Sequence, residues 1–249
     1  MNNATDIALA TGKAALNRIG EIIPIIGFAK DVYENLSEIQ VARKQERLVK
    51  FVEHLSISIE TVKERLNSDY ISQNDFIDIF ERASKYIANE RNEEKRRCFM
   101  NVLLNSMTDA DVDYDRTERF LRILDNLCCD DLIVLAVLDN PVKYNQTHGM
   151  IIPDPARNTY QTIWQTVSGG GILTRLLGKR DYEIRESVNC LFYNGLVEQN
   201  VMDVSLQTNG NPIHVLNNKL TIRGRQFVSF LKEIPAHGDA AVCHAGALP

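Results

Sequence analysis

Apolar residues return every three or four positions through most of the first half of this chain, a period that an α-helix satisfies and a strand does not. Beyond Ile22-Ile23-Pro24-Ile25-Ile26-Gly27, one stripe runs through Val32, Leu36 and Ile39, then Leu48, Phe51, Leu55, Val62 and Leu66. Pro24 suits the first turn of a new helix, where its missing N–H costs nothing. Arg43 to Arg47 is polar on all sides, so it is either a solvated stretch of one long helix or a break. Ser72 followed by Asp75 resembles a capping box ahead of Phe76, Ile79, Phe80, Ala83 and Ile87. Glu90 to Arg97 is charged except for Asn92 and is expected on a solvated helix face. Phe99, Val102, Leu103 and Met107 then restore the stripe, and an Asp-rich turn precedes Phe120, Leu121, Leu124 and Leu127. Amphipathic helices with short connections predict a helical bundle over residues 1–129.

Composition narrows the class of protein. With 44% apolar residues the chain has material for a core, so an ordered globular protein is expected. Its 28 Lys and Arg face 33 Asp and Glu, a net charge of −5, which gives no whole-protein positive field to attract nucleic acid or anionic membrane. Cys98, Cys128, Cys129, Cys190 and Cys243 are odd in number and show no CxxC spacing, which argues against a disulfide framework or a zinc site. The opening MNNATDIALATGK lacks the features of a signal peptide, and no segment approaches a membrane span. The expected compartment is a reducing cytoplasm.

The second half changes character at about residue 130. Asp130 or Asp131 is placed to cap a short helix, Leu132 to Leu138, that stops before Pro141. An irregular stretch with Pro153 and Pro155 follows, then Tyr160, Ile163, Trp164 and Val167 on one face of a two-turn helix that Gly169-Gly170-Gly171 ends as a flexible joint. A short helix from Ile172 to Leu177 ends at Gly178, and Asp181 caps a second helix whose Ile184, Val188 and Leu191 share one face up to Asn194-Gly195. Leu196-Val197-Glu198 starts a strand. Val204–Gln207 and Ile213–Leu216 alternate around Thr208-Asn209-Gly210-Asn211, and Leu220-Thr221-Ile222-Arg223-Gly224-Arg225-Gln226-Phe227 opens a last helix.

That order resembles winged-helix domains such as the MarR-like bacterial regulators, in which a Gly-Leu-Val strand after the recognition helix leads into a hairpin wing and an L-T-x-x-G-x-x-F helix. The resemblance covers residues 130–235 and departs from the pattern by an insertion at 142–167. It implies a mainly α protein, a helical bundle joined to a winged helix with a small β-hairpin wing, and a tail at 236–249 expected to be disordered. The helices around Pro24-Ile25-Ile26-Gly27 are also similar to bacterial helical proteins of abortive infection and phage defence, which implies a defence role.

Enzyme signatures fail on the residues themselves. Gly178-Lys179 would need glycine five positions earlier and Ser or Thr next, where the chain has Leu173 and Arg180. The five histidines, His54, His148, His214, His237 and His244, lack HExxH spacing, and no cofactor or metal is expected. With Ile184, Val188 and Leu191 inward, Tyr182, Arg185, Glu186, Asn189 and Tyr193 face outward, with Lys179 and Arg180 at the helix start. Lys219, Arg223 and Arg225 add positive charge nearby. This is the surface on which a partner is expected. The favoured function is a non-enzymatic interaction protein that binds a protein partner or associates with itself through the bundle. A DNA-binding regulator is second and a membrane-acting effector using Ile22–Phe28 third.

Overall fold

A computed structural model of the chain describes residues 10, 12–15, 17–19, 42–71, 73–109, 111, 113–152, 165–208 and 211–234. The described residues are mainly helical and form two compact units. Unit 1 is Met1–Asp125 with Phe230–Ala247, and unit 2 is Asn126–Ser229 with Leu248–Pro249.

Unit 1 contains helices α1 (Ala42–Val62), α2 (Ser68–Ile71), α3 (Asn74–Asn89), α4 (Glu93–Thr108) and α5 (Tyr114–Asn126), whose last residue belongs to unit 2. The first, third and fourth of these pack against one another and bury much of the predicted stripes: Leu48, Phe51 and Leu55 on α1, Phe76, Ile79 and Phe80 on α3, and Phe99, Val102 and Leu103 on α4. Phe80 lies 5.8 Å from Phe51 and 6.4 Å from Phe76 between ring centres, and Tyr86 stacks on Phe99 at 5.4 Å. Each fully buried side chain of this size stabilises the fold by about 1.5–3 kcal/mol, so packing rather than helix propensity holds the unit together. Helix α1 runs unbroken through Arg43–Arg47, with Gln45 buried.

Two sequence expectations need correction in unit 1. Helix α3 begins at Asn74 behind Gln73, and Ser72 lies outside the described residues. The Glu90–Arg97 run is not a wholly solvated face. Asn92 Oδ1 accepts from the Lys95 N–H at 2.8 Å and starts α4 there. The Lys95 side chain is buried, donating to the Asp125 carbonyl at 2.9 Å and pairing with Glu90 at 3.1 Å. Burial pushes the Glu90 carboxyl up, yet hydrogen bonds from Asn92 and Lys95 outweigh it and leave its pKa below the ordinary value. The carbonyls at residues 230–232 are bound by α4: Asn101 Nδ2 donates to Leu231 at 2.8 Å, and Asn105 Nδ2 to Phe230 at 3.0 Å and Lys232 at 2.9 Å.

Unit 2 contains α6 (Cys129–Asp139), α7 (Pro141–Thr147), strand β1 (Gln165–Ser168), α8 (Gly169–Leu177), α9 (Asp181–Tyr193), strand β2 (Ser205–Thr208), a 3-10 turn at Pro212–Leu216 and α10 (Ile222–Leu231), whose last two residues belong to unit 1. Its core takes Leu132 and Leu135 from α6, Ile172 and Leu173 from α8, Ile184, Val188 and Leu191 from α9, and Phe227 from α10.

The predicted wing does not form. Ser205–Thr208 pairs antiparallel with Gln165–Ser168, in the register Ser168↔Ser205 to Gln165↔Thr208, while Pro212–Leu216 is a 3-10 turn. Pro212 has no N–H for a ladder, Asn211 Oδ1 accepts from the Ile213 N–H at 3.1 Å, and Ile213, Val215 and Leu216 are all buried rather than alternating inward and outward. Residues 209–210 of the expected turn, the Tyr160-Ile163-Trp164 face, Ile22–Phe28 and the tail lie outside the described residues. Val167, assigned to a helix by its spacing, is in β1.

Gly169-Gly170-Gly171 is the first turn of α8 rather than a joint. The Gly169 N–H donates to the Val204 carbonyl at 2.9 Å and the Gly170 N–H to the Met202 carbonyl at 3.0 Å. A Cβ at Gly169 would collide with the Val201 carbonyl, so glycine serves close approach here. Gly224 repeats the device against the Leu196 carbonyl. There the Thr221 hydroxyl donates to the Gly195 carbonyl at 2.7 Å and accepts from the Gly224 N–H at 2.9 Å, while Val197 bridges to Leu220. The Gly-Leu-Val and Leu-Thr-x-x-Gly segments are thus bound to each other.

Candidate functional site

The exposed face of α9 gathers most of the residues singled out in the sequence. Helix α8 ends at Gly178, whose φ of 62° is the left-handed conformation of a helix C-terminus, and Lys179 and Arg180 lead into α9. The N-cap is Arg180, not Asp181. Its N–H donates to Glu183 Oε2 at 2.9 Å and its guanidinium to Oε1 at 2.7 Å. Those bonds hold the Glu183 carboxyl down at about 2. The end of α6 nearest this sequence is built alike: Cys128 is the N-cap, and its N–H donates to Asp131 Oδ2 at 2.8 Å.

The cations beside α9 are answered by carboxylates. Lys179 pairs with Asp130 at 2.7 Å, and that hydrogen bond raises its pKa. Arg185 reaches Asp181 at 2.7 Å and Asp203 at 3.3 Å. The Arg180 guanidinium also lies 4.6 Å over the Tyr182 ring. The sequence diluted this patch with Asp181, Glu183 and Glu186 but gave no sign of Asp203, which is brought in by the loop after α9.

The tyrosines are differently placed. Tyr182 is 56% exposed and Tyr193 is 85% exposed. Eleven residues at about 100° each return to within ~20° of the same direction, so both lie on one stripe with Asn189, which is exposed between them. Ile222, next to the Thr221 that binds Gly195, is 71% exposed. Arg223 lies against Gly195, where a Cβ would come within 2.8 Å of its guanidinium, and Arg225 donates to the Leu220 carbonyl at 2.6 Å. Lys219 is half-buried, its carbonyl accepting from the Glu198 N–H at 2.9 Å.

Beneath the face, Cys190 on α9 neighbours Asp131 and Cys128. Burial, then the Asp131 carboxylate, pushes the Cys190 thiol up to about 11, and burial raises Cys128 too. A thiol at about 11 is protonated at neutral pH and does not supply the thiolate that cysteine chemistry needs. The first turn of α8 is equally committed, because its N–H groups bind Val204, Met202 and Ser168 rather than a phosphate. Among the described residues, no His, Cys, Asp and Glu side chains are grouped to hold a metal ion, and no helix is long and apolar enough to cross a membrane.

No family model, no curated protein and no solved structure matches the chain.

Proposed function

We propose that this chain is a non-enzymatic interaction protein whose unit 2 meets a protein partner across the Tyr182–Tyr193 stripe of α9. The observation that carries the reading is the contrast within that face: two tyrosines stand exposed on one stripe, while Lys179, Arg180 and Arg185 are bonded to carboxylates of their own unit. Aromatic side chains bring large, rigid contact area and dominate interface energies. A cation already paired to a neighbouring carboxylate offers less to a phosphate, because the pair must be broken first.

DNA binding is the second reading. It draws on the helix–turn–helix order of α8 and α9, on exposed Asn189, and on Arg223 and Arg225 at the start of α10. The two readings separate by salt. A photo-reactive amino acid at Tyr193 in cells should yield a protein adduct of defined mass that disappears in Tyr182→Ala. Mixed genomic DNA should bind only weakly to the purified chain at physiological salt. Submicromolar DNA binding that falls steeply with salt and is lost in Arg223→Ala would put the regulator first.

A further inference from the structure

A small recess in unit 1 is lined by Arg47, Lys50 and His54 of α1, by Arg96 and Arg97 of α4, and by the apolar side chains Phe51, Ile87 and Met100, with Glu93 the one carboxylate. A chain of net charge −5 therefore sets four Lys and Arg side chains around one recess of about 80 Å³. That volume accommodates a phosphoryl-sized group and is well short of the roughly 300–1,000 Å³ of a pocket that encloses a whole drug-sized ligand.

What fixes the two inner guanidiniums matters most. Arg47 donates to the carbonyl of Ala88 at 3.0 Å and at longer range to that of Asn89. Arg96 donates to the carbonyls of Arg91 at 2.8 Å and Glu90 at 3.2 Å. Both are anchored by neutral main chain, Arg47 at the end of α3 and Arg96 at the residues between α3 and α4, and neither is ion-paired among the described residues. They are positioned without a direct ion pair. The outer pair is partly answered: Lys50 by Glu46 at 2.9 Å, and Arg97 by Glu93 at 3.5 Å and Glu94 at 3.4 Å, distances too long for good hydrogen bonds. The rim reports the field, because the Glu46 carboxyl is held below its ordinary range by Lys50 first and by Arg47 and Arg96 as well.

We infer that this recess is a binding site for the phosphate group of a small phosphomonoester, held by Arg47, Arg96, Arg97 and Lys50 over a floor of buried Phe51 and Ile87, with half-buried Met100 beside the group that carries it. Guanidinium donates parallel bonds to phosphate oxygens, which suits two anchored arginines better than a diffuse patch would. Glu93 on the rim opposes an extended polyanion, so a free small molecule fits better than a bilayer surface or a nucleic acid.

Isothermal titration with inorganic phosphate and with phenyl phosphate, at ionic strength matched with chloride, tests the site. The expected result is a Kd on the order of 1 mM or below for inorganic phosphate and a lower one for phenyl phosphate, whose ring adds apolar contact with Met100. Lys50→Gln and Arg97→Gln alter exposed rim side chains, should leave the melting temperature unchanged, and should weaken binding about tenfold each. Lys85→Gln, a cation elsewhere on α3, should bind as the parent does. Raising the salt to about 1 M, where the screening length falls to ~3 Å, should weaken binding throughout. No heat from either probe up to about 20 mM with folded protein, an affinity indifferent to Lys50→Gln and Arg97→Gln, or capture by phosphatidate vesicles without phenyl phosphate binding would each overturn the site.

Discussion

The cations around the recess of unit 1, Arg47, Lys50, Arg96 and Arg97, and those beside α9 of unit 2, Lys179, Arg180 and Arg185, are of the same kinds, but they are held differently. Around α9, Arg180 and Arg185 end on carboxylates one helical turn away, so each charge is cancelled locally. Around the recess of unit 1, Arg47 and Arg96 end on main-chain carbonyls, so each is fixed and still charged. The winged-helix resemblance ranks the α9 region first for anion binding, with Lys179, Arg180 and Arg185 beside it. Asking what each guanidinium is bonded to reverses that order. A pairing carboxylate competes with a ligand's phosphate for the same N–H groups, whereas a carbonyl positions a guanidinium without removing its field.

The comparison rests on the turn at 88–91 being rigid, and the most damaging change should be one beneath it. Lys95→Met leaves Glu90 without its buried partner and frees the Asp125 carbonyl, so the expected loss is on the order of 3 kcal/mol by chemical denaturation. The parent should also lose stability in acid. The Glu90 carboxyl is depressed in the folded chain, so its contribution is present above the ordinary value of 4.5 and fades as pH falls below it, and Lys95→Met should show less of that slope. A variant as stable as the parent would mean that the turn is not held by this pair.

Next in size is Arg47→Met, which removes the bond to Ala88 and should cost about 1.5 kcal/mol, together with most of the phosphate affinity proposed above. The matching change in unit 2, Arg185→Met, removes an exposed ion pair screened by solvent and should leave the melting temperature where it was. The two variants, measured side by side, sharpen the contrast: equal effects on stability would show that carbonyl and carboxylate anchors are equivalent here.

A smaller effect concerns the two thiols near α9. At pH 8 a maleimide should label Cys128 well before Cys190, because burial and the Asp131 carboxylate hold the Cys190 proton up to about 11. Asp131→Asn should speed Cys190 by removing the negative neighbour, even if the α6 cap weakens.

Much of the helical architecture could be read from the chain, because a 3.6-residue period is a local property and the buried residues of α1, α3 and α4 follow it. What was hidden depends on partners distant in sequence. The three glycines at 169–171 look like a joint until Val201, Met202 and Val204 are seen against them. Ile213 to Leu216 looks like a strand until Pro212 and the pairing of β2 with β1 remove its place in a ladder. Lys95 has the same letter whether solvated or buried. The helix starts taught something more local: the expected caps were Asp130, Asp131 and Asp181, yet the residues at the N-cap are Cys128 and Arg180. In both, the legible signal was the acid three residues on, Asp131 and Glu183, reaching back to the N-cap N–H. The recess of unit 1 had no signature at all, since Arg47 and Arg96 stand in runs that read as solvated charge.

The smallest expected effect is also the most direct measure of how completely α9 cancels its own charge. Glu183 accepts from the Arg180 guanidinium and from the Arg180 N–H, and its carboxyl is held at about 2 against an ordinary 4.5. Its pKa is lower folded than unfolded, so its contribution to stability is complete above about 4.5 and declines through the window from there to about 2. Well below 2 nothing of it is left. Carbon-detected NMR titration of the Glu183 side chain should therefore give a midpoint near 2 in the parent. Arg180→Ala keeps the N–H but removes the guanidinium, so the midpoint should rise only part of the way toward 4.5. A parent midpoint at the ordinary value would mean that the Arg180–Glu183 pair does not persist in solution. The cations of α9 would then be available to anions after all, and the order of the two readings of that face would change with it.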